Sequence, residues 1–335
     1  MPDLDRLLAD GDLDGLLRLV DEACDAGDWE SLEGVATRSR AAIERGHQLW
    51  PAADHAEHRL ALQAPVEMAA AAVLRDAPTF GVAPLAEVAA SRLAWADLEP
   101  HLPVDAGALR AVVAHERIAR GEDLTGVELV DDPLGLPLRL AAWEPTTSGP
   151  TIGPYGVDDP VPPAGALDPS PVTDGPPAVE PEMDAARRAL RDLAAAWTEQ
   201  SEGTAVTATV SGSGPEAVAA VAEGEVRLRR LAADEGFGLL AWLGASAGAN
   251  GRRRGAARGR FEAWWCATAL AGLDGVGHGA TDWPPEADEL GDAVVELGWW
   301  RWEDSKRPAG WFLGLAIDDP LDGIAWALSA RDRGG

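Results

Sequence analysis

WFLGLAIDDPLDGIAWALSA, residues 311–330, reads as two strands joined by a turn. Side chains alternate along a strand, so Trp311, Leu313, Leu315 and Ile317 share one face of the first, and Ile324, Trp326 and Leu328 share the matching face of the second. Between them Asp318-Asp319-Pro320 supplies turn chemistry, aspartate starting the turn and proline fixing a central φ. The opposite face carries Gly314, Ala316, Ala325 and Ala327, small enough for a helix to approach the sheet closely. The near all-round apolar segment FEAWWCATALAGL, 261–273, is the helix this pattern places there.

Working outward, MDAARRALRDLAAAWTEQ (183–200) has a helical period, TAVTATVSG (204–212) reads as a strand, and a second helix opens near Pro215, a residue tolerated in a first turn. Residues 183–335 therefore read as an α+β domain ending in a β-hairpin. VSGSGPEAV (210–218) sets a glycine-rich turn between strand and helix. It lacks the Walker lysine and spacing, and Glu216 in the first turn would repel a phosphate, so it reads as an ordinary capped helix. Nine of the 14 tryptophans follow residue 240; core use explains Trp264, Trp265, Trp311 and Trp326, whereas the alternation of Trp299, Trp300 and Trp302 sends at least one to the surface.

The other end of the chain is different. ADGDLDGLL at 9–17 is answered by DAGDWESLE at 25–33, with Leu13, Leu16, Leu17 and Val20 on one helical face, Leu32, Val35 and Ala36 on another, and Gly11 and Gly27 between helices. Short amphipathic helices continue to about Gly121, giving an α-helical array, irregular and solenoid-like, over 1–121. Eleven of the 25 prolines lie between Pro145 and Pro181, so 122–182 reads as a Pro-rich strap or linker. In it LPLRLAAWEP (136–145) is a candidate strand and VPPAGALDPSPVTDGPPAVEPE (161–182) is polyproline-like. The fold class is thus mixed.

Composition narrows the function classes. A net charge of −28 on a chain that is 46% hydrophobic favours a soluble globular protein and argues against duplex nucleic acid and anionic membranes as partners. The first residues lack a basic n-region and an apolar h-region, and no run of about 18 apolar residues occurs, so a cytoplasmic location is expected. Cys24 and Cys266 stand in no ligand spacing and read as buried thiols.

Against this acidity, no acid occurs between Gly236 and Phe261, while Arg252, Arg253, Arg254, Arg258 and Arg260 cluster where the 261–273 helix begins. Glycines at 244, 248, 251 and 255 permit a loop with outward amides, and a helix N-terminus adds unpaired N–H groups and a positive dipole end. Gly251, Arg252, Arg253, Arg254, Gly255 and Arg258 are therefore the candidate ligand-binding residues, for a phosphate-bearing small molecule or an acidic protein segment. The competing reading is internal pairing with acids such as Glu303, Asp304, Asp318 or Asp319.

Arg252-x-x-Gly255-x-Ala257 resembles the pyrophosphate loop of the acyl-CoA-dependent N-acetyltransferases, in which R/Q-x-x-G-x-G/A opens a helix, and AVVELGWWRWED (293–304) is similar to that family's helix-then-strand segment around LGF. That resemblance implies CoA as cofactor, although the tyrosine often serving there as general acid has no counterpart, Tyr155 lying in the linker. LGLPLRLAAWEP (134–145), NGRRRGAARGRFEAWW (250–265) and GLAIDDPLDGIAWALSA (314–330) resemble phrases of a group of uncharacterised actinobacterial proteins of unknown function, whose second phrase has histidine at the place of Asn250. This resemblance implies no activity.

Other groups read as structural. Glu44, His47, His55, Glu57 and His58, like His115 and Glu116, form no H-E-x-x-H motif and are expected to be solvated helix residues, with no metal. Asp131-Asp132-Pro133 and Asp158-Asp159-Pro160 are turns like the one at 318–320. The function expected is a non-enzymatic interaction or adaptor protein with an arginine-rich loop for an anion or an acidic partner, self-association included; the alternative is an acyltransferase-like enzyme using the same loop for CoA pyrophosphate.

Overall fold

The computed structural model describes residues 2–75, 82–146, 149–170, 184–274, 283–306 and 310–333. Contacts divide the chain into two compact units, one of Met1–Arg117, Val127–Pro133 and Gly149–Asp158, the other of Ile118–Gly126, Leu134–Ser148 and Asp159–Gly335. No helix among the described residues is long and apolar enough to cross a membrane.

The first unit is a helical array: α1 (Pro2–Asp10), α2 (Leu13–Ala26), α3 (Trp29–Glu44), α4 (Trp50–Gln63), α5 (Val66–Leu74), α6 (Leu85–Ala90), α7 (Trp95–Leu98) and α8 (Gly107–Ala119), whose last residues belong with the second unit. The repeated phrase sets its first turns. Asp12 accepts from Gly15 N at 2.9 Å and Asp28 from Ser31 N at 3.1 Å, capping α2 and α3, while Gly11 and Gly27 reverse the chain at φ +66. Leu16, Val20, Leu32, Val35 and Ala36 are buried, as their spacing predicts.

At the centre of this array lies α4, against which α2, α3, α5 and α6 all pack. A surrounded helix has no solvent face, so its polar residues must find partners inside. Glu57 and His58 of α4 are accordingly buried, not solvated, and so are His115 and Glu116 of α8. Arg40 serves Asp54 and Glu57 together, its Nε lying 3.1 Å from Glu57 Oε1. His58 Nε2 donates to Gly153 O at 2.8 Å, fastening the ribbon of β1 (Thr151–Ile152) and β2 (Val157–Asp158), and His115 Nε2 donates to Asp132 Oδ2 at 2.9 Å, fastening the Val127–Pro133 segment.

In the second unit β3 (Asp168–Ser170) is followed by α9 (Ala185–Leu193), α10 (Ala195–Glu199), β4 (Thr204–Ser211), α11 (Gly214–Ala219), β5 (Val226–Leu231) and α12 (Ala233–Ala245). Then come α13 (Ala256–Leu270), α14 (Ala287–Glu296), β6 (Gly298–Asp304), β7 (Trp311–Asp319) and β8 (Ile324–Asp332). The strands form one antiparallel sheet in the order β3-β5-β6-β7-β8-β4. The terminal hairpin has the expected register, Ile317 opposite Trp326 and Leu315 opposite Leu328.

The small face of that hairpin is covered by α11, not by α13. Ala316, Ala325 and Ala327 make room for Ala217 and Val218 and for the ring of Trp302, which lies over Gly314 where a Cβ would fall 2.7 Å from Trp302 Cδ2. On the large face sit α9 and α12. Asp184, the N-cap of α9, accepts from Thr209 Oγ1 at 2.7 Å and Trp326 Nε1 at 3.1 Å, and Gly236 of α12 lies against the buried Trp299. The helix α13 packs behind, on α12 and α9. Trp299 and Trp302 are buried and Trp300 is half-buried, its Nε1 donating to Asp318 at 2.7 Å, so none of the three is exposed.

Residues 136–145 form no strand: Pro137 lacks an N–H for a ladder, and the carbonyls of Pro137 and Arg139 accept from Arg260 instead. Of the proline-rich stretch, 161–170 lies among the described residues and 171–182 outside them.

Candidate functional site

The arginine-rich loop joins two helices. Residues 239–245 belong to α12, and Arg252-x-x-Gly255-x-Ala257 does open a helix, α13, so the loop runs from helix to helix. The helix-then-strand segment that the resemblance places downstream is present as α14 and β6.

Loop amides do grip an anion, and the anion is the chain's own. Ala249 N donates to Asp332 Oδ2 at 2.6 Å, Ser201 Oγ donates to the same oxygen at 2.7 Å, and Asn250 N reaches Ser201 Oγ at 3.2 Å. Asp332 is fully buried. Gly248, at φ +82, has no Cβ that would fall 2.4 Å from that carboxylate.

Guanidiniums of the cluster find carboxylates within the chain, and the pairs seen for Arg253, Arg254, Arg258 and Arg260 use Asp159, Glu262 and Glu144. Arg253, buried, pairs with Asp159, whose Oδ1 also accepts from Trp242 Nε1 at 3.2 Å. Arg260 Nε and Nη2 bond Glu144 at 2.7 and 2.8 Å in a bidentate pair that is itself buried. Arg254 Nη1 donates to Glu262 Oε2 at 2.8 Å, and Arg258 Nε donates to Glu262 Oε1 at 2.7 Å. Asp304, an expected partner, instead accepts from Arg331 at 2.6 Å. Asp159 and Glu144, distant in sequence, are brought to Arg253 and Arg260 by the fold.

The structure places the six candidate residues unequally. Arg253 and Gly255 are buried, Gly251, Arg252 and Arg254 are half-buried, and Arg258 is exposed. Gly255, at φ +98, turns the chain into α13. One carboxylate, Glu262, is shared by two guanidiniums, which leaves the outer edge of the loop with positive charge in excess.

Beside that edge lies a feature the sequence reading missed. Trp265, assigned to the core, is 54% exposed. Its ring centroid is 5.2 Å from that of Trp283, which also meets Phe261 at 5.5 Å, and Arg258 Cζ stands 5.2 Å from the centre of Phe261. Trp283 is held by donation from its Nε1 to Leu134 O at 3.1 Å. Arg258, Phe261 and Trp265 recur at i, i+3 and i+7, one stripe of α13. The charged residue at its head was the available signal that this stripe faces water.

Neither thiol is poised for chemistry: burial raises the Cys266 pKa, and burial, ahead of the nearby charges, raises that of Cys24. Among the described residues no three or more His, Cys, Asp or Glu side chains are grouped to hold a metal ion. The model of a family of unknown function, DUF6183, matches residues 14–332. No curated protein and no solved structure matches the chain.

Proposed function

The chain thus belongs to DUF6183, and from its own surface we propose that it is a non-enzymatic interaction protein whose outer α13 face docks an acidic segment of a protein partner. The observation that carries this reading is Trp265, 54% exposed, standing beside an arginine pair that shares one carboxylate. Tryptophan and arginine are among the side chains that dominate binding energy at protein interfaces, and phenylalanine is enriched there, the rings supplying area and the guanidinium supplying direction. The charge excess selects for acid and repels basic partners. Arg252, Arg253 and Gly251 then shape the loop and Arg258 makes the contact.

A fluorescein-labelled peptide with glutamates around a Leu-Phe pair tests it by anisotropy. Binding is expected to weaken about tenfold in Arg258→Glu, to weaken in Trp265→Ala, and to fall between low and moderate salt. Unchanged binding in both variants would refute the site. Sedimentation of the protein alone reads out a second copy as the acidic partner. A rise in Tm with CoA that Arg252→Ala abolishes would replace this reading with the acyltransferase one.

A further inference from the structure

The helical array carries an independent feature, a solvent-open cavity of about 410 Å³ between α1 and α3. Leu8, Ala9 and Ala41 give it an apolar floor, and Asp5, Arg38, Arg45 and His47 stand around it. Arg38 is tied to Asp5. Arg45 and His47 are exposed, and their side chains make no hydrogen bond or ion pair with any described residue. In a chain with 56 acids to 28 bases, a guanidinium left without a carboxylate on the rim of a cavity is a ready seat for an incoming anion.

The position of these cations has one local explanation, since basic side chains complement the negative end of a helix dipole and α3 ends at Glu44. That end carries roughly half a charge, and the carbonyls of Ala42 and Ile43 there already accept from the amides of Arg45, Gly46 and His47. The dipole accounts for basic residues there. It does not account for an apolar-floored space of the size that holds small organic ligands.

We propose that this cavity binds a small organic anion with an apolar body, an acyl or aryl carboxylate or sulfonate, its charge on Arg45 and its body over Leu8, Ala9 and Ala41. The test is a titration of the full-length chain with 8-anilinonaphthalene-1-sulfonate, followed by fluorescence. One saturable site is expected, displaced by octanoate, at least tenfold weaker in Arg45→Glu, lost when Ala41→Trp fills the floor, and retained in Trp265→Ala. Far-ultraviolet circular dichroism confirms that each variant folds. Arg45 is exposed, so its charge reversal leaves the test standing if the Trp substitution does not fold. Undiminished affinity in Arg45→Glu, loss in Trp265→Ala, or displacement by inorganic phosphate as effective as by octanoate would each overturn the proposal.

Discussion

Arg258 and Arg260 stand two positions apart on α13, and their removal has different consequences. Arg260 is 3% exposed and its partner Glu144 is equally enclosed, so Arg260→Met leaves a buried carboxylate without its counter-charge. Breaking such a pair costs about 3–5 kcal/mol. Arg258 is 48% exposed, and Arg258→Met should change stability by less than about 1 kcal/mol. Urea denaturation of the two variants checks this; similar losses would mean that burial does not separate the pairs. His58 gives a pH dependence. Burial, partly opposed by its bond to Gly153 and reinforced by His55 and Arg59, lowers its pKa from the usual 6.5. The unfolded chain therefore binds a proton that the folded chain resists, and stability that is full above 6.5 declines as pH falls through 6.5 toward the lower folded value. Tm should drop between pH 7.5 and 5.5, and less so in His58→Gln, whose amide can still donate to Gly153 O without titrating. No sequence pattern marks either residue, because burial of a polar side chain depends on what the fold brings against it.

At the scale of elements the decisive contact is the crossing of α12 and α13. A Cβ on Gly259 would fall 2.2 Å from Ala241 O, and one on Gly244 would fall 3.3 Å from Gly259 Cα, so the two backbones meet at their glycines. Alanine is the better helix former by about 1 kcal/mol, and on an open helix Gly259→Ala would stabilise. Here it must push the helices apart, and overpacking of this kind costs about 1–3 kcal/mol. A lower Tm is therefore expected, and a higher one would show that the crossing is loose. The hairpin β7–β8 and the paired helices α2 and α3 are legible in the sequence, since each has one apolar face and a turn that fits it. The helix α13 is apolar nearly all round, and such a helix gives no direction. Its period therefore distinguishes neither the surface it packs on, which is α12 and α9 and not the hairpin, nor the exposed side on which Trp265 stands.

For the whole molecule, charge sets the response to salt. At −28 the chain repels itself, and ionic screening shortens that repulsion to about 8–10 Å at physiological strength. The buried pairs of Arg260 and Arg253 are screened much less, so raising NaCl from 20 to 300 mM should raise Tm while leaving those contacts intact. A fall in Tm would show that surface pairs outweigh the repulsion. The same titration should weaken binding of an acidic peptide at α13, which separates the effect of salt on folding from its effect on docking.

The sequence by itself determined what periodicity and turn chemistry can carry: the helical array, the α+β segment, the turns at Gly11 and Gly27, and the matching faces of the terminal hairpin. These are local patterns, each written within a few residues. Only the tertiary structure decided the fate of the arginine cluster. Asp159 is 94 residues from Arg253 and Glu144 is 116 from Arg260, and no spacing announces pairs that distant. Folding gave the loop's amides Asp332 and left Arg258 and Trp265 facing water, because charge neutralisation follows proximity in space and not order in the chain.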